Sequence, residues 1–269
     1  VVRQQGSRVT LVRNHELQGS SGAMGDPALA YDNTPGGTTT LVFDTASETL
    51  ADSWVSLGGT LYNCAGGVTP WGTWLSCEEA TLSPALLHLP TPKKHAWWDV
   101  DRARREHGYV FEVPAEGVAK PEHILAMGQF YHEAVAFDPD TGIAYLTEDN
   151  GPNAGFYRFL PDQPGRLQAG GRLQMMKVDL RPDMSDYLIL GQEMDVGWVD
   201  IPEPTQGFTA GNRNGDGVVS QGLAAGGSRF IALEGCTYSE GKIYFTSKLG
   251  GRAISGYVLA YEPAREKIW

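Results

Sequence analysis

Short apolar runs alternating with polar positions recur along the chain, and each stops at a polar or acidic cluster. Four of them align without gaps: VTLVRNHE (9–16), GTWLSCEE (72–79), GIAYLTEDN (142–150) and GKIYFTSK (241–248). Such alternation predicts strands, because successive strand side chains point to opposite faces. Each run is followed, after a loop of variable length, by a glycine-led strand: GTTTLVFD (37–44), GYVFEVP (108–114), GFYRFLP (155–161) and GYVLAYEP (256–263). A third short element precedes the last three runs: NCAGGVTPW (63–71), HEAVAFDPDT (132–141) and LEGCTYSE (233–240). One such unit would be a meander in an ordinary sandwich. Four copies predict an all-β chain built as a β-propeller, with small sheets around an axis.

In a propeller the innermost strands line a central channel, so matching positions of successive blades converge. Two rings follow. One holds Cys64, Glu133 and Glu234; the other holds Asn14, His15 and Glu16, then Cys77, Glu78 and Glu79, then Glu148, Asp149 and Asn150, then Ser247 and Lys248. Taken singly, an acid at a strand end caps a turn or faces solvent. Taken together, so many carboxylates in one funnel repel strongly unless cations neutralise them. Oxygen ligands in this number suit Ca²⁺, and a thiolate among carboxylates suits a transition ion such as iron.

Composition agrees. The 34 glycines and 16 prolines, without a long amphipathic helical pattern, fit many short strands and tight turns. With 269 residues, 41% of them hydrophobic, the chain can bury a sizeable core, and it is read as a single domain over 1–269. A net charge of −11 without a basic run argues against nucleic acid or an anionic membrane as partner. No apolar run reaches spanning length, so membrane insertion is not expected. Cys64, Cys77 and Cys236 cannot all pair within the chain; Cys77 and Cys236 are expected as packing residues without a disulfide. No G-x-S-x-G element supports a serine nucleophile.

The segments GGTTTLVFD, NCAGGVTPWGTWLSCEE, FYHEAVAFDPDTGIAYLTEDN, GFYRF and ALEGCTYSEGKIYFTSKLGG closely resemble the PhoX-type alkaline phosphatases and their shorter relatives. The resemblance implies a six-bladed propeller, of which this chain would cover only part, incomplete at both ends. It also implies export by the twin-arginine route to the periplasm or beyond, and an active site of Ca²⁺ and Fe³⁺ ions that hydrolyses small phosphate monoesters. Carried over, Cys64 looks like the iron-binding cysteine, and Glu133 and Glu234 like metal-bridging glutamates. Glu16, Glu78, Glu79, Glu148 and Asp149 are then the expected calcium ligands.

There are departures. Ala232 stands where the phosphatases have an arginine that helps bind the phosphoryl group, and Gln129 where relatives often have another. Lys248, at the end of a ring strand, is the candidate replacement cation and an expected catalytic residue; a salt bridge to a neighbouring acid is its plainer reading. Arg158 is expected on a strand face away from the axis. A propeller that uses calcium structurally and binds a partner without hydrolysis is the alternative. NRNGDG (212–217) fits half a calcium loop, but Leu223 stands where the closing glutamate belongs, which favours a plain turn. Residues 92–108, with Trp97 and Trp98, are expected to cover one face, and 162–211 to add a strand pair.

Overall fold

A computed structural model describes residues 1–17, 19, 21–86, 103–186, 189–209 and 211–269. The alternating segments are strands, arranged in three sheets. The first contains β1 (Arg3–Gln5), β2 (Arg8–His15), β3 (Gly36–Asp44) and β4 (Thr49–Thr60), neighbours in that order and antiparallel throughout. The second is an antiparallel meander of β5 (Asn63–Val68), β6 (Trp74–Glu78) and β7 (Val110–Val113). The third sheet has nine strands. It begins with β8 (His132–Phe137), β9 (Ala144–Glu148), β10 (Phe156–Pro161), β11 (Gly171–Val178) and β12 (Met194–Asp200). After the helix α1 (Gly217–Ala224) it continues with β13 (Leu233–Ser239), β14 (Lys242–Ser247), β15 (Tyr257–Glu262) and β16 (Lys267–Ile268).

The spatial order of this sheet is β13-β14-β15-β16-β12-β11-β10-β9-β8. Here the structure departs from four separate units. The third and fourth are fused, because β12 pairs with β16 through Met194↔Ile268 and Asp195↔Lys267. The described residues thus form an all-β chain with one short helix and three sheets, and they do not display six separate blades. β11 and β12 are the strand pair expected within 162–211. Of the stretch expected to cover a face, 92–102 lies outside the described residues.

Tight turns set the hairpin register. Glu240 (φ 49°) and Gly241 (φ 78°) connect β13 to β14. Positive φ at both central residues matches the twist of paired strands, and glycine adopts it without steric cost.

The core lies between successive units, so strand alternation sends side chains both ways. On β9, Ala144 and Leu146 enter one cluster and Tyr145 the other; on β10, Tyr157 and Phe159 oppose Phe156. The first cluster joins Leu75, Cys77 and Val110 of the second sheet to β8–β11 and to Val218 and Val219 of α1. The second joins the two halves of the large sheet, with Phe156 stacked on Phe245 at 3.9 Å between ring centres. A third, with Leu57, Tyr31, Tyr109 and Phe111, links the first sheet to the second. These fully buried faces leave the inner strands β5, β8 and β13 adjacent to one another. Their N-terminal ends carry the candidate chemistry.

Candidate metal centre

Cys64, Glu133 and Glu234 are each the second residue of an inner strand, and each sits in the same irregularity. β5 pairs Asn63 with Glu78 and then Gly66 with Ser76; β8 pairs His132 with Glu148 and then Val135 with Leu146. β13 repeats the step, Leu233 with Ser247 and then Cys236 with Phe245. In every case the inner strand holds one residue more than its partner. A bulge of this kind bends the strand and re-aims a side chain. Three equivalent bulges therefore place three equivalent ligand-bearing residues at the same end of three adjacent strands.

The bulged backbone is held by neighbouring units. Asn14 Nδ2 donates to the carbonyls of Cys64 (3.2 Å) and Ala65 (2.6 Å), while its Oδ1 accepts from Trp74 Nε1 (2.9 Å) and Ser76 Oγ (3.0 Å). Thr147 Oγ1 donates to the Glu234 carbonyl at 2.6 Å. Thr147 is a site residue that the sequence did not reveal, because a threonine inside an apolar run carries no distinguishing signal.

The second ring comes from the residue that follows each hairpin strand: Glu16 after β2, Glu79 after β6, Asp149 after β9 and Lys248 after β14. Ligand atoms of Glu16, Cys64 and Glu79 all lie within 4.8 Å of one another, and so do those of Glu79, Glu133 and Asp149. The two groups share Glu79. Cys64 Sγ stands 3.3 Å from Glu133 Oε1. Lys248 Nζ donates to Asp149 Oδ2 and lies 2.6 Å from Glu234 Oε1. The Glu234 contact is one of charge, since that buried oxygen makes no well-directed hydrogen bond.

Crowding governs the electrostatics. Burial, then Glu234, pushes Glu133 up to about 7. Burial raises Glu79 as well, reinforced by its hydrogen bond to Asp149 and by the Glu133 charge. The Cys64 thiol is raised by burial and by Glu133 and Glu79. Burial opposes the charge on Lys248, but Asp149 and Glu234 outweigh it and hold the ammonium protonated. Glu133 Oε2 is buried without a hydrogen-bond partner. An orphaned acceptor among carboxylates that cannot all ionise is the donor set a cation satisfies. The residues thus fit metal ions, with hard oxygens for Ca²⁺ and a thiolate for a softer ion.

Three of the expected ligands fall outside both groups: Glu234, which pairs with Lys248, and Glu78 and Glu148. Glu78 accepts from the backbone N–H groups of Leu61 (2.8 Å), Gly108 (2.8 Å) and Tyr109 (3.1 Å) and pairs with His107 Nδ1 at 2.7 Å. Glu148 accepts from Gly155 N (2.8 Å) and Tyr157 Oη (2.6 Å), and burial raises it to about 8. Both are fully buried and stitch their hairpin to the start of the next strand.

The remaining candidates lie around the centre or away from it. Ala232 is buried with φ 45°, its N–H on the Asn150 carbonyl and its carbonyl on Lys248 N. Gln129 is buried against Glu106 and the His107 carbonyl. Arg158 pairs with Glu266 and lies over Trp198. In 212–217, Asp216 Oδ1 accepts from Asn150 Nδ2 at 2.8 Å, and Leu223 packs against the core. All three cysteines are free; Cys77 is fully buried and Cys236 half-buried.

Fold and site together define an all-β protein of repeated antiparallel units whose strand ends gather a carboxylate–thiol centre suited to cations. The family model for alkaline phosphatase PhoX matches residues 35–267, and the chain belongs to that family. Among solved structures it is similar to Pseudomonas fluorescens PhoX in complex with vanadate, a transition state analogue, with a TM-score of 0.53 at 19% identity. That likeness, which concerns the fold, covers 82% of this chain and 47% of the Pseudomonas protein, so the chain spans about half of that protein's length. No curated protein matches it.

Proposed function

We propose that this chain carries the metal centre of a phosphatase that hydrolyses small phosphate monoesters. Membership of the PhoX family supports the reaction class, and the observation that carries the site is the convergence of Cys64 and Glu133 with Glu16, Glu79 and Asp149. We assign Ca²⁺ to the carboxylates and Fe³⁺ to the group containing Cys64. Bound ions would polarise the phosphoryl oxygens and lower the pKa of water.

The chain's own groups have three tasks. Glu16, Glu79, Glu133 and Asp149 would hold the ions whose positive charge attracts the phosphoryl group. The bulges, clamped by Asn14 and Thr147, keep Cys64, Glu133 and Glu234 aimed before substrate arrives, so that little reorganisation remains during reaction. Lys248, about half exposed, adds an ammonium that neutralises Asp149 and Glu234. Vanadate in the Pseudomonas protein is consistent with a phosphoryl-shaped site in this fold. We further propose a six-bladed closure for the complete assembly, a single domain over 1–269, and a periplasmic or secreted location. Among the described residues no helix is long and apolar enough to cross a membrane.

The test is hydrolysis of p-nitrophenyl phosphate at alkaline pH by protein reloaded with Ca²⁺ and iron. Activity that chelation abolishes, and that Cys64→Ala and Glu133→Ala each remove, is the expected result. Ala232, buried and without a cation, favours a second reading in which the ions stabilise a binding module. Metal-loaded protein that cleaves no monoester yet gains thermal stability from Ca²⁺ would select that second reading.

A further inference from the structure

We infer that Lys248 is a tethered cation occupying the place of a third metal ion, and that it limits the centre to two. The inference rests on the metal reading above. At the position following the hairpin strand, three units carry Glu16, Glu79 and Asp149, and the fourth carries Lys248. At the bulge, the fourth unit carries Glu234, the counterpart of Cys64 and Glu133. Cys64 and Glu133 each belong to a group whose ligand atoms lie within 4.8 Å of one another; Glu234 belongs to neither. Its charge is met by Lys248 Nζ at 2.6 Å.

The same ammonium contacts Asp149 Oδ2, so it bridges the third and fourth units as a divalent ion would. The two carboxylates are the confined partners: the side chains of Asp149 and Glu234 are 10% and 28% exposed, and that of Lys248 is 49%. In such a site one full positive charge supplies much of the neutralisation that another ion would bring, and an ion entering beside it meets direct repulsion. Lys248 is thereby a positioning residue. It holds Asp149 and Glu234 in place when no ion is present, while Glu133 Oε2 is buried without a hydrogen-bond partner.

The experiment counts metal. Wild type, Lys248→Met and Lys248→Arg are saturated with Ca²⁺ and iron and desalted, and metal per chain is measured by plasma mass spectrometry. Wild type and Lys248→Arg should each retain two ions, and Lys248→Met three, because only the methionine variant exposes the Asp149–Glu234 pair. Equal counts in wild type and Lys248→Met, a lower count in Lys248→Met, or a gain in Lys248→Arg would overturn the tethered-cation role while leaving the metal centre intact. Wild type that retains no ion would overturn the metal reading itself. If Lys248→Met does not fold, Lys248→Gln takes its place under the same criteria.

Discussion

Glu78 and Glu79 are neighbours in sequence and serve opposite sides of one strand end. The Glu78 carboxylate is fully buried, with three backbone N–H groups and His107 as partners, whereas Glu79 belongs to both candidate metal groups. Strand alternation imposes this division, since adjacent side chains point to opposite faces. Removing Glu78 strands a buried imidazolium and three donors. Glu78→Ala should therefore cost about 3–5 kcal/mol in urea unfolding, the range for breaking a buried pair. Glu79→Gln should leave metal-free stability unchanged or raised, because it removes repulsion, while lowering retained metal. Comparable destabilisation by both variants would contradict the division of roles.

His107 makes stability depend on pH near neutrality. Burial opposes its charge, but Glu78 and then Asp32, at 3.3 Å, raise it to about 9 from an ordinary 6.5. A histidine with a raised folded pKa contributes stability that is complete below about 6.5 and lost as pH climbs through 9. Asp32, lowered to about 2 by hydrogen bonds led by His107 despite its burial, contributes above about 4 and loses this as pH falls through 2. Unfolding free energy should thus decline by about 3 kcal/mol between pH 6.5 and 9.5. In His107→Asn that decline should flatten. An unchanged slope would assign it to other groups.

How far the sequence carried this structure depends on what set each feature. Alternation and glycine spacing located the hairpin strands, because period-two burial and φ > 0 turns leave a direct mark on residue type. That Cys64, Glu133 and Glu234 share one place on their strands was legible, because equivalent positions in repeated units face the same way; that Glu234 lies outside both ligand groups was not. The roles of Glu78 and Glu148 were not, since an acid that binds buried N–H groups and one that faces a metal have the same letter. The bulges were equally silent: each depends on pairing with a partner strand. The fusion of the last two units through β12 and β16 rests on two residue pairs far apart in sequence, which no local pattern specifies.

The pH dependence of the metal-free centre has the opposite origin to a salt bridge. Glu133 is raised to about 7 from an ordinary 4.5, first by burial and then by Glu234. A carboxylate with a raised folded pKa favours the folded state most when protonated, so its contribution is fullest below about 4.5 and fades as pH rises through 7. Without metal the centre is strained at pH 8 and relaxed at pH 5. Calcium, held there as proposed, would require the ionised form and relieve that strain, so Ca²⁺ should raise the Tm more at pH 8 than at pH 5. At a hundredfold excess over Kd the gain is about 2.7 kcal/mol, on the order of 5–10 °C for a chain of this size. Differential scanning fluorimetry with Ca²⁺ or chelator at both pH values measures it. Glu133→Gln, which cannot ionise, should lose most of the pH 8 response. A shift of equal size at both pH values, or one retained in full by Glu133→Gln, would place the ion somewhere other than this ring of strand ends.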